Sequence, residues 1–190
     1  GRALFARTAL QIVVQWGFDG IDIDWEYPCS SQAGIASSPD DKENFTALMR
    51  VLRDALDAQG RADGKRYLLT CAVGAGQYFV DGSQMDQVSR LTDYVNLMTY
   101  DMRGGFTHTA GHHTNLYPQA GDPEGPSATA TVELFHRAGV PYEKMVLGSA
   151  FYGRMWTGVA PENHGLGQPA ASSGGYLGHW DLQDSETMAL

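Results

Sequence analysis

Asp22, Asp24 and Glu26 alternate with Ile21, Ile23 and Trp25 in the segment Phe18-Asp19-Gly20-Ile21-Asp22-Ile23-Asp24-Trp25-Glu26-Tyr27-Pro28. On a β-strand, period-two alternation sends the acids to one face and the apolar residues to the other. At about 3.3 Å of rise per residue, successive carboxyls stand about 6–7 Å apart. Lining up like charges is electrostatically costly, so folding alone explains the pattern poorly and chemistry explains it better. Negative neighbours and partial burial both work against ionising the last acid of such a row. An acid that keeps its proton near neutral pH is what a glycosidase needs to protonate a leaving oxygen. Metal binding is the alternative. Hard cations, however, collect ligands from loops at irregular spacing, whereas spacing two fans carboxylates along a line.

These acids need a scaffold, and the periodicity supplies one. Leu4, Phe5, Ala9, Ile12, Val13 and Trp16 follow a helical stripe that ends at Gly17, before an acidic strand over 18–26. Ser38-Pro39-Asp40-Asp41 combines a cap, a first-turn proline and early acids. It starts a helix whose buried stripe is Phe45, Leu48, Met49, Leu52 and Leu56, with Gly60 as its end. A strand over 67–73, a short helix over 83–91 and a strand from Asp93 to Tyr100 follow. After a loop over 101–126, rich in Gly, His, Thr and Pro, come a helix over 128–138 and a strand from Lys144 to Phe151. Beyond Arg154 the periodicity fades, marking a different module.

Strict helix–strand alternation implies right-handed crossovers and a parallel sheet. Polar residues close each strand: Glu26, Gln77, Tyr100-Asp101 and the run from Tyr152 to Arg154. That arrangement fits an α/β barrel or a doubly wound sheet. No Gly-x-Gly-x-x-Gly follows the first strand and no phosphate loop appears, which favours the barrel.

Composition narrows the ligand. With 190 residues, 43% hydrophobic and 11% aromatic, the chain has the makings of one globular domain. A formal charge of −9 argues against nucleic-acid binding through the phosphate backbone. An acidic chain rich in Tyr and Trp suits neutral, polar, ring-shaped ligands such as sugars. Cys29 and Cys71 make no disulfide framework and read as free, partly buried thiols. No apolar run approaches the roughly 20 residues that span a membrane. Residues 1–6 read as the interior of a helix, so the chain is expected to start mid-element.

The acidic segment resembles the Asp-x-x-Asp-x-Asp-x-Glu signature of glycoside hydrolase family 18 chitinases, matched by Asp19, Asp22, Asp24 and Glu26. Asn96-Leu97-Met98-Thr99-Tyr100-Asp101 resembles the Met-Thr-Tyr-Asp segment at the end of that family's sixth barrel strand. Phe151-Tyr152-Gly153-Arg154 is similar to the Tyr-Gly-Arg at the end of the seventh. Gly165-Leu166-Gly167-Gln168-Pro169 and the Gly-rich run to Trp180 look like the start of a small α+β insertion. The resemblance implies an α/β fold: a partial (β/α)8 TIM barrel, strands 4 to 7, over 1–156, with the insertion starting over 157–190. The family's first three strands and its eighth have no counterpart here. The resemblance therefore implies an internal portion of a catalytic domain, which cannot close a barrel and is expected to be unstable and inactive alone.

The activity implied is retaining, substrate-assisted hydrolysis of β-1,4-linked N-acetylglucosamine, an exception to the two-carboxylate scheme. Glu26 would be acid and then base, Asp24 would orient the acetamido group, Asp22 would tune Asp24, and Tyr100 would donate to the acetamido oxygen. Asp101, Arg154, Tyr152, Met98 and Trp156 would contact or frame the sugar. Packing explains Tyr152, Trp156 and Trp180 about as well. Asp19 reads as a hydrogen-bonding residue near the strand start, and Gly20 and Gly153 as close-packing or turn positions. His108, His112 and His113 could suggest a metal site, but nothing completes a tetrahedron, so they read as solvated loop histidines. No cofactor or metal is implied, and no nucleic acid or membrane partner. The implied partner is chitin or chitooligosaccharide, met outside the cell by a secreted enzyme that is monomeric at full length. Two further readings are cleavage of the chitobiose core of N-glycans and a chitinase-like lectin that binds without cutting. Such lectins lose the acid at Glu26 or alter the one before it, and all four acids stand here.

Overall fold

The computed structural model describes residues 1–178. Trp180 and the expected run of insertion to residue 190 lie outside them. In chain order the elements are α1 (Arg2–Trp16), β1 (Gly20–Asp24), α2 (Asp41–Asp63), β2 (Leu68–Gly74), α3 (Gln77–Asp81), α4 (Met85–Leu91), β3 (Tyr94–Met98), α5 (Ala128–Arg137), β4 (Met145–Leu147), β5 (Tyr152–Thr157) and β6 (Ser172–Gly178). The chain divides into two compact units, residues 1–98 with 131–147, and residues 99–130 with 148 onward.

In the first unit β1 to β4 form one sheet in that order, every neighbouring pair parallel. A parallel sheet with helices is consistent with part of a (β/α)8 barrel. One face is apolar: Leu69, Cys71 and Val73 of β2 and Val95 and Leu97 of β3 are fully buried. Phe45, Met49, Leu52 and Leu56 of α2 are fully buried with them, as their spacing predicts. Phe45 meets Phe79 edge-on at 6.1 Å. Burying each such side chain stabilises by about 1.5–3 kcal/mol. The opposite face carries Asp22, Thr70 and Asn96.

Several boundaries differ from the expectations. α2 does not stop at Gly60 but runs to Asp63, with Gly64 as its left-handed cap. Gly60 serves close approach instead: a Cβ there would lie 2.4 Å from the Lys65 carbonyl oxygen. The stripe of α1 is rotated. Ala6 and Val13 are buried, whereas Leu4, Phe5, Ile12 and Trp16 are exposed, because the helix packs on α2 through its smaller residues. α3 has no counterpart in the sequence periodicity: Gln77 opens this helix rather than closing β2.

The largest correction concerns the strand expected from Lys144 to Phe151. β4 covers only Met145–Leu147, paired to β3 from Val95 to Leu97. The Gly148-Ser149-Ala150 run that follows has low strand propensity and no ladder partner. Tyr152 to Thr157 belongs to a different sheet, in the second unit, where β5 pairs antiparallel with β6. Arg154 there lies opposite Tyr176, and a register shift falls between Met155 and Trp156.

Candidate active site

β1 ends at Asp24, and Glu26 follows two residues later, beyond the ladder. Asp22 lies opposite Thr70 in register, and Asn96 sits one strand further on. Parallel pairing thus converges three polar side chains: the Thr70 hydroxyl donates to Asp22 Oδ1, and Asn96 Nδ2 donates to the same oxygen at 3.0 Å. Thr70 and Asn96 were not singled out from the sequence. The only signal for them is their period-two phase, which requires knowing which strands pair.

Asp24 has its carboxyl pushed above the ordinary carboxylate range. Burial is the largest cause, then the charges of Glu26 and Asp22 and a hydrogen bond to Glu26. Tyr27 is a second unforeseen partner. Its phenol is pushed up by burial, then by its hydrogen bond to Glu26, and its ring meets Tyr78 edge-on at 5.1 Å. Gly74, at the end of β2, makes room for this pair. A Cβ there would lie 2.1 Å from the Tyr78 hydroxyl oxygen and 3.0 Å from a Tyr27 ring carbon. The Glu26–Tyr27 peptide is cis. A hollow of about 820 Å³ beside Asp22, Asp24 and Glu26 is also lined by Ile23, Trp25, Phe5 and Leu48. Since residues of both alternating faces line it, it runs along the edge of β1 rather than over one face. Met98 is half-buried at the last position of β3.

The second unit gathers another set. Arg154 Nε donates to Asp101 Oδ1 at 2.7 Å, and a second guanidinium nitrogen reaches the same oxygen. Burial lowers the Arg154 guanidinium, but its hydrogen bond to Asp101 and that carboxylate's charge outweigh it and raise it overall. The Tyr152 phenol is pushed up by burial and then by its hydrogen bond to Asp101. Tyr100 meets the Tyr152 ring edge-on at 6.3 Å. Asp101 itself has φ 54, a left-handed backbone that a non-glycine residue holds only when its surroundings enforce it. Trp156 is half-buried, and its indole N–H has no partner among the described residues.

The three loop histidines differ in their surroundings. His108 and His112 are exposed. His113 is not: its side chain is 11% exposed, and its ring lies 5.1 Å from that of Tyr152. No cluster of three His, Cys, Asp or Glu side chains able to hold a metal ion occurs among the described residues. No helix among them is long and apolar enough to cross a membrane. Cys71 is buried on the apolar face of the sheet, and Cys29 is half-buried; neither is bridged.

Against known proteins, the sequence model of "Glycosyl hydrolases family 18" matches residues 1–188. The chain is 38% identical over 188 residues to Chitinase A1 of Niallia circulans, covering 95% of this chain and 27% of that protein. It is 37% identical to Chitotriosidase-1 of Mus musculus, covering 91% of this chain and 38% of that protein. Among solved structures, a glycoside hydrolase family 18 N-acetylglucosaminidase from Paenibacillus barengoltzii superposes with a TM-score of 0.92 at 54% identity, over 95% of this chain and 54% of that one. The chain therefore spans well under half the length of these two curated relatives.

Proposed function

This chain belongs to glycosyl hydrolases family 18, and from that premise we propose that the whole protein hydrolyses the β-1,4 bonds of N-acetylglucosamine polymers. The observation that carries the reading is the carboxyl pair Asp24–Glu26, hydrogen-bonded to each other at the C-terminal end of β1, with Asp24 pushed up. Two acids that share one proton make a switch. An acetamido N–H donating to Asp24 favours its charged form, which leaves the proton to Glu26. Glu26 then protonates the glycosidic oxygen while the substrate's acetamido oxygen attacks the anomeric carbon; the C1–O bond breaks, the leaving sugar departs with its new hydroxyl, and a cyclic oxazolinium ion remains. Asp24 steadies that positive charge. Glu26, now a carboxylate, takes a proton from water, and the water oxygen opens the ring at the anomeric carbon with net retention.

Asp22, anchored by Thr70 and Asn96, supplies the charge that tunes Asp24. Tyr100 donates to the acetamido oxygen. Asp101 and Arg154 bind sugar hydroxyls, with Tyr152, Met98 and Trp156 as walls. On this reading β1 to β4 correspond to the fourth to seventh strands of the family's barrel, residues 1–156 are barrel and the insertion starts at 157. The enzyme acts outside the cell, on chitin or its oligosaccharides.

One observation favours a second reading of the product pattern: the 54% identity to an enzyme named as an N-acetylglucosaminidase. That reading has single N-acetylglucosamine units released from a chain end. Incubating chitohexaose with the whole protein separates the two by the first products: monomer with chitopentaose means terminal release, and dimer, trimer and tetramer mean internal cutting. The same assay with Glu26→Gln tests the chemistry. Turnover is expected to fall roughly 10²–10⁴-fold with oligosaccharide binding retained. Unchanged turnover removes Glu26 from the mechanism.

A further inference from the structure

His113 takes no part in the proposed chemistry, yet both of its ring nitrogens are engaged. The Asp101 backbone N–H donates to Nδ1 at 3.3 Å, so Nδ1 is the acceptor and the ring proton sits on Nε2. Nε2 faces the Tyr152 carbonyl oxygen at 3.1 Å, to which it donates. The ring is tilted 34° against that of Tyr152, and the His113 carbonyl accepts the Met102 N–H at 3.0 Å. His113 thus ties the backbone beside one half of the Asp101–Arg154 pair to the strand that carries the other half. A histidine whose tautomer is set by two main-chain partners is an oriented bracket rather than a solvated side chain.

We propose that His113 is a positioning residue: it clamps the left-handed Asp101 backbone to Tyr152, and so fixes the carboxylate–guanidinium pair that receives a sugar hydroxyl. The left-handed turn at Asp101 is tethered through its N–H to His113 and through its carboxylate to Arg154 and the Tyr152 phenol. Removing the first leaves the carboxylate attached to a backbone free to relax. A displacement on the order of 1 Å in a substrate-positioning group costs roughly 10²-fold. The inference rests on the glycosidase reading for its kinetic consequence, but not for its geometry.

Three variants of the whole protein dissect the clamp. His113→Phe keeps a ring for Tyr152 and removes both nitrogens. His113→Asn puts a carboxamide oxygen near the place of Nδ1 and restores the acceptor for Asp101. His113→Gln puts an amide N–H near the place of Nε2 and restores only the donor to Tyr152. KM for chitooligosaccharides is expected to rise roughly 10- to 100-fold in the Phe variant, with kcat moving far less. The Asn variant should recover most of that loss and the Gln variant little. A merely structural role would lower the melting temperature in all three and leave KM alone, which would overturn the proposal, as would equal KM values in all three. A long-range proton–nitrogen correlation spectrum of the wild-type protein reads the tautomer without any assay of activity. A proton on Nε2 supports the clamp, and a proton on Nδ1 refutes it. If the wild-type protein cleaves no chitooligosaccharide, the glycosidase reading falls while the spectrum still decides the clamp.

Discussion

The two units hold their functional side chains by different means. In the first, Asp22 and Asp24 stand on a strand whose register with β2 is set by a ladder running from Gly20 opposite Leu68 to Asp24 opposite Ala72. Many shared backbone bonds place them, and side chains from neighbouring strands only trim their charge. In the second, Asp101 sits on a left-handed turn and Arg154 on a short antiparallel strand, and a few side-chain contacts hold them. The contrast teaches where each unit is vulnerable. A strand-borne carboxyl tolerates loss of a neighbour, whereas a turn-borne one depends on each of its few tethers.

That contrast can be broken by substitution. The largest effect on stability should come from the base of the parallel sheet, where Asp93 accepts from the Leu69 N–H at 2.9 Å and from Arg53 at 3.2 Å, and also binds Arg66. Burial raises the Asp93 carboxyl, but the Leu69 N–H, Arg66 and Arg53 outweigh it and hold it below the ordinary carboxylate range. Asp93→Asn is expected to cost about 1.5–3 kcal/mol, since it removes the carboxylate charge that Arg53 and Arg66 share, while Arg53 keeps Asp57 and the Tyr67 carbonyl, with kcat per folded molecule unchanged; denaturant melts and active-site titration check both. Because the folded value is the lower one, this contribution is complete above the unfolded carboxylate range. It disappears as pH falls through the depressed folded value.

Arg154→Ala should do the reverse. It is expected to lower kcat/KM by roughly 100-fold, about 2.7 kcal/mol, with little loss of melting temperature. If it instead destabilises as much as Asp93→Asn, the two units are not held differently. Gly74→Ala sharpens the account of the first unit. The added methyl displaces Tyr78 and Tyr27 from beside Glu26, at an expected cost of about 1–3 kcal/mol from overpacking, and shifts the pH profile of kcat. A normal pH profile would show that Tyr27 has no influence on Glu26. Smallest of all is Thr70→Val, which removes one donor to Asp22. A few-fold fall in kcat/KM, about 1 kcal/mol, is expected, because Asn96 still holds the same oxygen.

Legibility in the sequence follows the same division. The acid row, the helix carrying Phe45 to Leu56 and the order of parallel strands all rest on local periodicity, and they were legible. Thr70 and Asn96 were not, because their meaning comes from pairing across strands. The rise at Asp24 depends chiefly on how far its carboxyl is from water, and spacing does not show that. His113 was misread because its partners lie 12 and 39 positions away along the chain. β4 ends at Leu147 rather than Phe151 because the ladder to β3 stops there, and a short run from Lys144 to Phe151 does not show where its partner strand ends. Irregular backbone is decided by contacts distant in sequence, and those leave little local trace.

The central claim is that Asp24 and Glu26 act as one unit sharing a proton. A double-mutant cycle on kcat in the whole protein, with Glu26→Gln, Asp24→Asn and the pair combined, tests it most directly. Members of one proton-sharing unit should be strongly non-additive, so the double variant is expected to lose little more than the worse single one. Losses that multiply independently, or full turnover in either single variant, would contradict the account.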